Sequence, residues 1–450
     1  MNLKLKKTIS TALTLIMLIS CFSSGIQAFA GVTQVIFLQA DGSESRVYNP
    51  TEINSDTYEL VGGEYGTKWY TTGAYVSPNM GIYPTIEHGI TVRGDVSLII
   101  RDNLHLSVKG GIYVAENSTL TIYGQSNAPQ GVGHYSTGVL SAVATDDAAG
   151  IGGKEGAVGG HIVINSGVVQ AHGEDGAGIG GGYDEDSGFQ SVTINGGVVS
   201  ASGDGGGAGI GDGKKNKKSG DSVITINGGD VHSIGNDGGA GIGGGSSSEC
   251  KDASIVINGG VIFAQGGDNG AGIGGGENSR DWRSIAINDG EVEAIGGDGG
   301  AGIGGGENRG NGVIRISGGT VVAKAGGYDE DAGEYGAGIG GGVEGDQDNA
   351  IYISGGDVKA YGGICGAGIG GGADGDGNDV YISGGNVFAQ AGAWADGIGG
   401  GRCTKETTPW QPTVDIPKCG SKYISGGIVT AKTDPDSAET VNAAAISCWK

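Results

Sequence analysis

The chain has 450 residues, with 26 Lys and Arg against 50 Asp and Glu, a formal net charge of -24. That balance excludes electrostatic tracking of nucleic acid or of an anionic membrane surface. Glycine supplies 101 residues and proline only 8; the glycines have no every-third-residue period, which excludes collagen, and ordered Ile/Val alternation between them argues against disorder.

Taken in chain order, residues 1–30 read as a secretory signal. Lys4, Lys6 and Lys7 precede an apolar run from Ile9 to Ile19, and Ala28-Phe29-Ala30 has the small-x-small spacing of a cleavage site. The run is shorter than the roughly 20 residues a membrane span needs, so a secreted or surface-held protein without a transmembrane segment is expected. Leu18-Ile19-Ser20-Cys21 also reads as the box before a lipid-modified cysteine. Residues 31–95 lack any repeat, hold Trp69, Tyr70, Tyr75 and Tyr83, and read as an N-terminal cap. Short strands separated by RDN, KGG and ENS turns follow between Gly94 and Gln125.

From there the chain repeats. A GAGIGG-type turn returns at Ile151, Ile179, Ile210, Ile242, Ile273, Ile303, Ile339, Ile369 and Ile398, a period of about 31 residues. Each unit reads x-I-x-I-N-G-G-x-V-x-A, and the period-2 rule turns Ile255, Ile257, Ile262 and Ala264 inward. The same offsets give Val192, Ile194, Val199 and Ala201, and Ile351, Ile353, Val358 and Ala360. Asn-Gly-Gly makes the corner between two strands, through positive φ at glycine and a left-handed Asn, and the glycine turn supplies a third side. Four or five buried aliphatics contribute about 1.5 to 3 kcal/mol each, while ordering some thirty residues costs about 1 to 2 kcal/mol apiece. A lone unit cannot fold, so the units stack. The expected fold is an all-β, single-stranded parallel β-helix (β-solenoid) of about ten or more rungs, with repeats over 96–401 and a loop insert, last partial rung and C-terminal cap over 402–450.

The run ITVRGDVSLIIRDNLHLSVKGGIYVAENSTLTIYGQ, from Ile90 to Gln125, followed by AGIGGG turns, resembles secreted Gram-positive proteins known as carbohydrate-binding-domain-containing β-helix proteins. The resemblance covers roughly Ile90 to Ala431. It implies right-handed coiling, an extracellular or cell-surface place and a glycan or polysaccharide partner, and it carries no catalytic residues.

Stacked rungs turn repeated positions into ladders. The outward position between the two isoleucines reads Val163, Thr193, Thr225, Val256, Ala286, Arg315, Tyr352, Tyr381 and Tyr423. Three tyrosines on one face, with Phe388, Trp394 and Trp410 nearby, form a platform on which sugar rings would stack; the bland alternative is a ladder that strengthens the sheet. Asp237, Asp268 and Asp298 each stand five residues before a turn Ile, with Glu334 in the same place one repeat on. These acids either splay into water or hold calcium, the only cofactor the residues point to. Asp374-Gly375-Asp376-Gly377-Asn378-Asp379 resembles a calcium nonapeptide but occurs once. His161, His172 and His232 lie on different registers, so no metal triad or nucleophile-histidine pairing can be argued from them. No residue is singled out for catalysis. A carbohydrate-binding or adhesive module is therefore expected ahead of a polysaccharide-cleaving enzyme, lyase or glycosidase, and of a structural spacer. Cys403 and Cys419 are spaced to close the loop between them.

Overall fold

The computed structural model describes residues 34–63, 66–72, 85–126, 137–218, 221–249, 252–279, 284–308, 312–326, 335–345, 350–401, 420–433 and 445–446. The signal region, Cys21, Trp410, Glu334, Cys403 and Cys419 lie outside them. The described residues form strands, turns and no helix, so none is long and apolar enough to cross a membrane.

A two-stranded antiparallel hairpin, Gln34–Leu38 with Glu44–Tyr48, comes first. The chain then coils through three parallel sheets of 12, 13 and 12 strands, each strand pairing with its equivalent one coil away. The middle coils show the pattern. Ile242–Gly243, Ser254–Ile257 and Val261–Gln265 pair respectively with Ile273–Gly274, Ser284–Ile287 and Glu291–Ile295. The three sheets are called here the glycine sheet, the isoleucine sheet and the valine-alanine sheet. Strands Thr51–Ile53, Glu59–Val61, Lys68–Thr72 and Thr85–Ile86 already join them, so coiling begins within the 31–95 stretch. The hairpin lies on the outer side of the isoleucine sheet. Phe37 packs 4.8 Å from Trp69 and 4.7 Å from Tyr123, and Gln125 and Ser166 donate to the Ile36 and Leu38 carbonyls.

The core is the stack of inward residues. Ile255, Ile257, Ile262, Ala264 and Ile273 are at most 1% exposed, and their equivalents from Leu60 to Ile398 join one cluster. At the last described coil the inward position that holds Ile351 and Val380 is taken by Lys422. This lysine is buried and donates to the Asn378 carbonyl at 2.9 Å. Burial pushes its amine down to about 8, against the opposing pull of Asp379 and Asp396. Cys365, also buried, is disulfide-bonded.

The glycine turns answer a steric demand. The second residue of each Ile-Gly strand faces outward with φ near +140°, as in Gly274 at +137° and Gly304 at +139°, where only glycine sits without strain. A roof covers them: Glu277 N donates to Gly238 O, Glu307 N to Asn269 O and Val343 N to Gly299 O. The loop after one turn thus bonds the loop before the previous turn, and what leaves no room for a Cβ at the turn itself is the next coil, whose Gly304 carbonyl oxygen would stand 1.9 Å from one added at Gly274.

The Asn-Gly-Gly corner differs from expectation. The second glycine carries the positive φ, 98° at Gly229 and 100° at Gly260, and the asparagines are not left-handed. Asn is there for its side chain. Asn195 donates to Asn165, Asn227 to Asn195, Asn258 to Asn227 and Asn288 to Asn258, at 2.7 to 2.8 Å. Each amide is donor and acceptor at once, which lets the ladder run on indefinitely.

Candidate functional site

The outward ladder of the isoleucine sheet is in the register read from the sequence. Arg315 pairs with Tyr352, Tyr352 with Tyr381 and Tyr381 with Tyr423. The rings stack in parallel, 4.8 Å apart at 10° and 4.8 Å apart at 7°, and the Arg315 guanidinium lies 5.2 Å over the first ring. This geometry has a chemical consequence. A sugar stacks on the face of an aromatic ring, and here the rings cover one another's faces, so the row presents edges and hydroxyls. Desolvation raises the Tyr381 hydroxyl above its ordinary range, with Asp379 and the two neighbouring tyrosines adding to it.

The other aromatic candidates stand elsewhere. Phe388 is on the valine-alanine sheet, 5.7 Å from Tyr361 and tilted by 50°, with Lys432 5.1 Å over its ring. Trp394 is exposed on the following corner, with φ +64°. Neither extends the tyrosine row. Asp237, Asp268 and Asp298 are exposed on the turns before the glycine sheet. Among the described residues no group of three or more His, Cys, Asp or Glu converges to hold a metal.

What the structure does bring together is a groove of about 900 Å³ on the valine-alanine side. Its floor is an outward row from four successive coils: Gln265, Ile295, Lys324 and Tyr361, each the register partner of the next. One wall carries Asp268 and Asp298, two members of the acidic ladder, and the other carries Lys359 and Val322. Lys324 is held at 2.7 Å by Glu293, and Lys359 lies 3.9 Å from Asp357. Residues of the corner turns, Gly266, Gly296 and Gly297, line it beside the sheet strands. An aromatic ring, carboxylate acceptors and ammonium donors in one concave strip match the usual make-up of a ligand site. A second notch, of about 770 Å³, opens over Thr91 and Tyr113, where the glycine row has not yet begun, with Lys154 5.1 Å over the Tyr113 ring.

Sequence reasoning missed Tyr361, Lys324 and Lys359, because it followed the ladder between the isoleucines and not the outward rows on either side of the buried alanine. It also missed two Ser-His pairs. His161 Nδ1 lies 2.8 Å from Ser191 Oγ and His172 Nδ1 2.9 Å from Ser202 Oγ, with Asp204 3.4 Å from His172 Nε2. The signal was an offset of one repeat, 30 residues in each pair. Nucleophile-histidine pairs can thus be argued as geometry after all, because the sequence reading compared the histidines only with one another. Around Ser202 the strand amides are engaged in parallel ladders on both sides, so they do not offer an oxyanion hole there.

The family model described as "Beta helix repeat" matches eight times, at residues 162–183, 192–214, 224–246, 255–277, 285–307, 314–343, 351–373 and 380–402. The protein is a β-helix repeat protein. Each match opens on an isoleucine-sheet strand of the β-helix and closes just beyond its glycine turn. Neither a search of curated proteins nor a search of solved structures returns a match.

Proposed function

We propose that this β-helix is an exported carbohydrate-binding or adhesive module, and that the groove floored by Gln265, Ile295, Lys324 and Tyr361 is its binding site. The observation that carries the reading is that groove. Tyr361 leans on Phe388 at 50° and so keeps ring surface for a sugar's apolar face. Asp268 and Asp298 offer acceptors to sugar hydroxyls across from the Lys324 and Lys359 donors. Export rests on the signal-like residues 1–30 and the acidic composition.

Binding is favoured over cleavage by the environment of the two carboxylates. Glycoside hydrolysis needs one carboxyl kept protonated and one ionised, which requires unlike surroundings. Asp268 and Asp298 occupy equivalent, exposed positions on successive coils, so nothing divides the two roles between them. The test is a glycan array probed with the purified protein and with Tyr361→Ala, with mass spectrometry of the eluted glycans. Retention of intact glycans by the parent and at least tenfold weaker retention by the variant, at unchanged melting temperature, is the expected result. A blank array, shortened glycans or full retention by Tyr361→Ala overturns the proposal.

A further inference from the structure

We infer that the ligand is an unbranched, uncharged polysaccharide lying lengthwise in the groove, one sugar ring per coil; this rests on the carbohydrate reading above and names its substrate class. The first reason is register. Gln265, Ile295, Lys324 and Tyr361 are Cα partners in a parallel ladder, so they recur about every 4.8 Å along the solenoid axis. That spacing is close to the length of one pyranose unit in an extended chain, so a linear polymer along the axis sets one unit over each residue of the row. The row continues beyond the groove through Gln390 and Lys432. A branch point would meet the corner turns on one side and the Lys359 row on the other.

The second reason is charge. The wall formed by Asp268 and Asp298 repeats a carboxylate on successive coils, in a chain of net charge -24. Lys324 and Lys359 do not offset it for an incoming anion, since each faces an acid of its own sheet, Glu293 and Asp357. An acidic polysaccharide would bring a third row of negative charge into the groove. A neutral one uses the same carboxylates as acceptors for its hydroxyls.

The experiment measures Kd by calorimetry for linear glucose, mannose, xylose and N-acetylglucosamine oligomers of one to six units, beside galacturonate oligomers of the same lengths and branched oligomers of the same neutral sugars. For at least one neutral series, affinity is expected to rise about threefold or more with each sugar from two to four units and to level off by six. Galacturonate oligomers are expected to bind at least tenfold more weakly, with the gap narrowing as salt is added. In Asp268→Asn combined with Asp298→Asn the carboxylate acceptors are replaced by weaker amide ones, so neutral oligomers should bind several-fold more weakly while galacturonate oligomers, relieved of the repulsion, do not, and the gap should shrink to about threefold. Affinity independent of length, acidic oligomers binding as well as neutral ones, or binding only of branched glycans overturns the inference. Loss of binding to every glycan refutes the carbohydrate reading itself.

Discussion

Replacing Gly274 by Ala tests the account of the glycine sheet directly. An added Cβ would stand 1.9 Å from the Gly304 carbonyl oxygen, and the backbone is at φ +137°. That oxygen accepts the Gly275 N–H at 2.8 Å, so it cannot retreat without breaking a ladder bond. The φ value alone costs an L-residue about 1 to 3 kcal/mol. Losing the bond while the amide stays buried adds about 1 to 3 kcal/mol, for a total of roughly 3 kcal/mol or more. Gly42→Ala is the control. Its φ of +79° is also positive, but nothing lies within 4 Å of the added atom, so a loss of only about 1 to 2 kcal/mol is expected. Urea unfolding followed by circular dichroism gives both midpoints, and hydrogen exchange shows whether the damage centres on the coils around 243, 274 and 304. Equal losses in the two variants would refute the steric argument and leave conformational preference as the whole reason for the glycines.

Asn227→Ala removes two side-chain bonds, to Asn195 and from Asn258. At about 0.5 to 1.5 kcal/mol each, the expected loss is roughly 1 to 2 kcal/mol in the same urea assay, with Asn227→Asp also destabilising because a carboxylate cannot donate to Asn195. Tyr381→Ala breaks both stacked contacts of the tyrosine row and is expected to lower stability by about 1 to 3 kcal/mol while leaving glycan retention on the array within twofold; loss of retention would move the site to the isoleucine sheet. Lys422 links the last coil to pH. Its amine is held at about 8 in the fold against 10.5 for the free side chain, so between those values the unfolded chain binds the extra proton and stability rises with pH. The melting temperature should therefore climb from pH 8 towards 10.5 relative to Lys422→Met, which lacks this slope and is the more stable of the two at pH 7.

Much of the fold was legible because each coil repeats the same physical problem. Ile255, Ile257, Ile262, Ala264 and Ile273 alternate with polar residues at a strand's period, and a fixed spacing of about 31 residues leaves stacking as the way to bury them. The tyrosine register followed from the same counting. What the counting could not give was the direction of side chains in space. That Tyr352, Tyr381 and Tyr423 stack face to face, that Phe388 belongs to another sheet, and that Asn195, Asn227 and Asn258 serve through their amides are consequences of how adjacent coils meet. The hairpin of Gln34–Leu38 and Glu44–Tyr48 rests on the outer side of the isoleucine sheet through Phe37, a contact between residues far apart in sequence that no local pattern announces.

The sequence by itself determined the coil, its inward residues and its glycine turns, because alternation and periodicity are properties of neighbours along the chain. Only the tertiary structure decided where a concave strip forms. The groove joins Gln265, Ile295, Lys324 and Tyr361 from four coils with Asp268 and Asp298 from the turns beside them, and such a strip is a property of several coils side by side, which one repeat read in isolation does not contain.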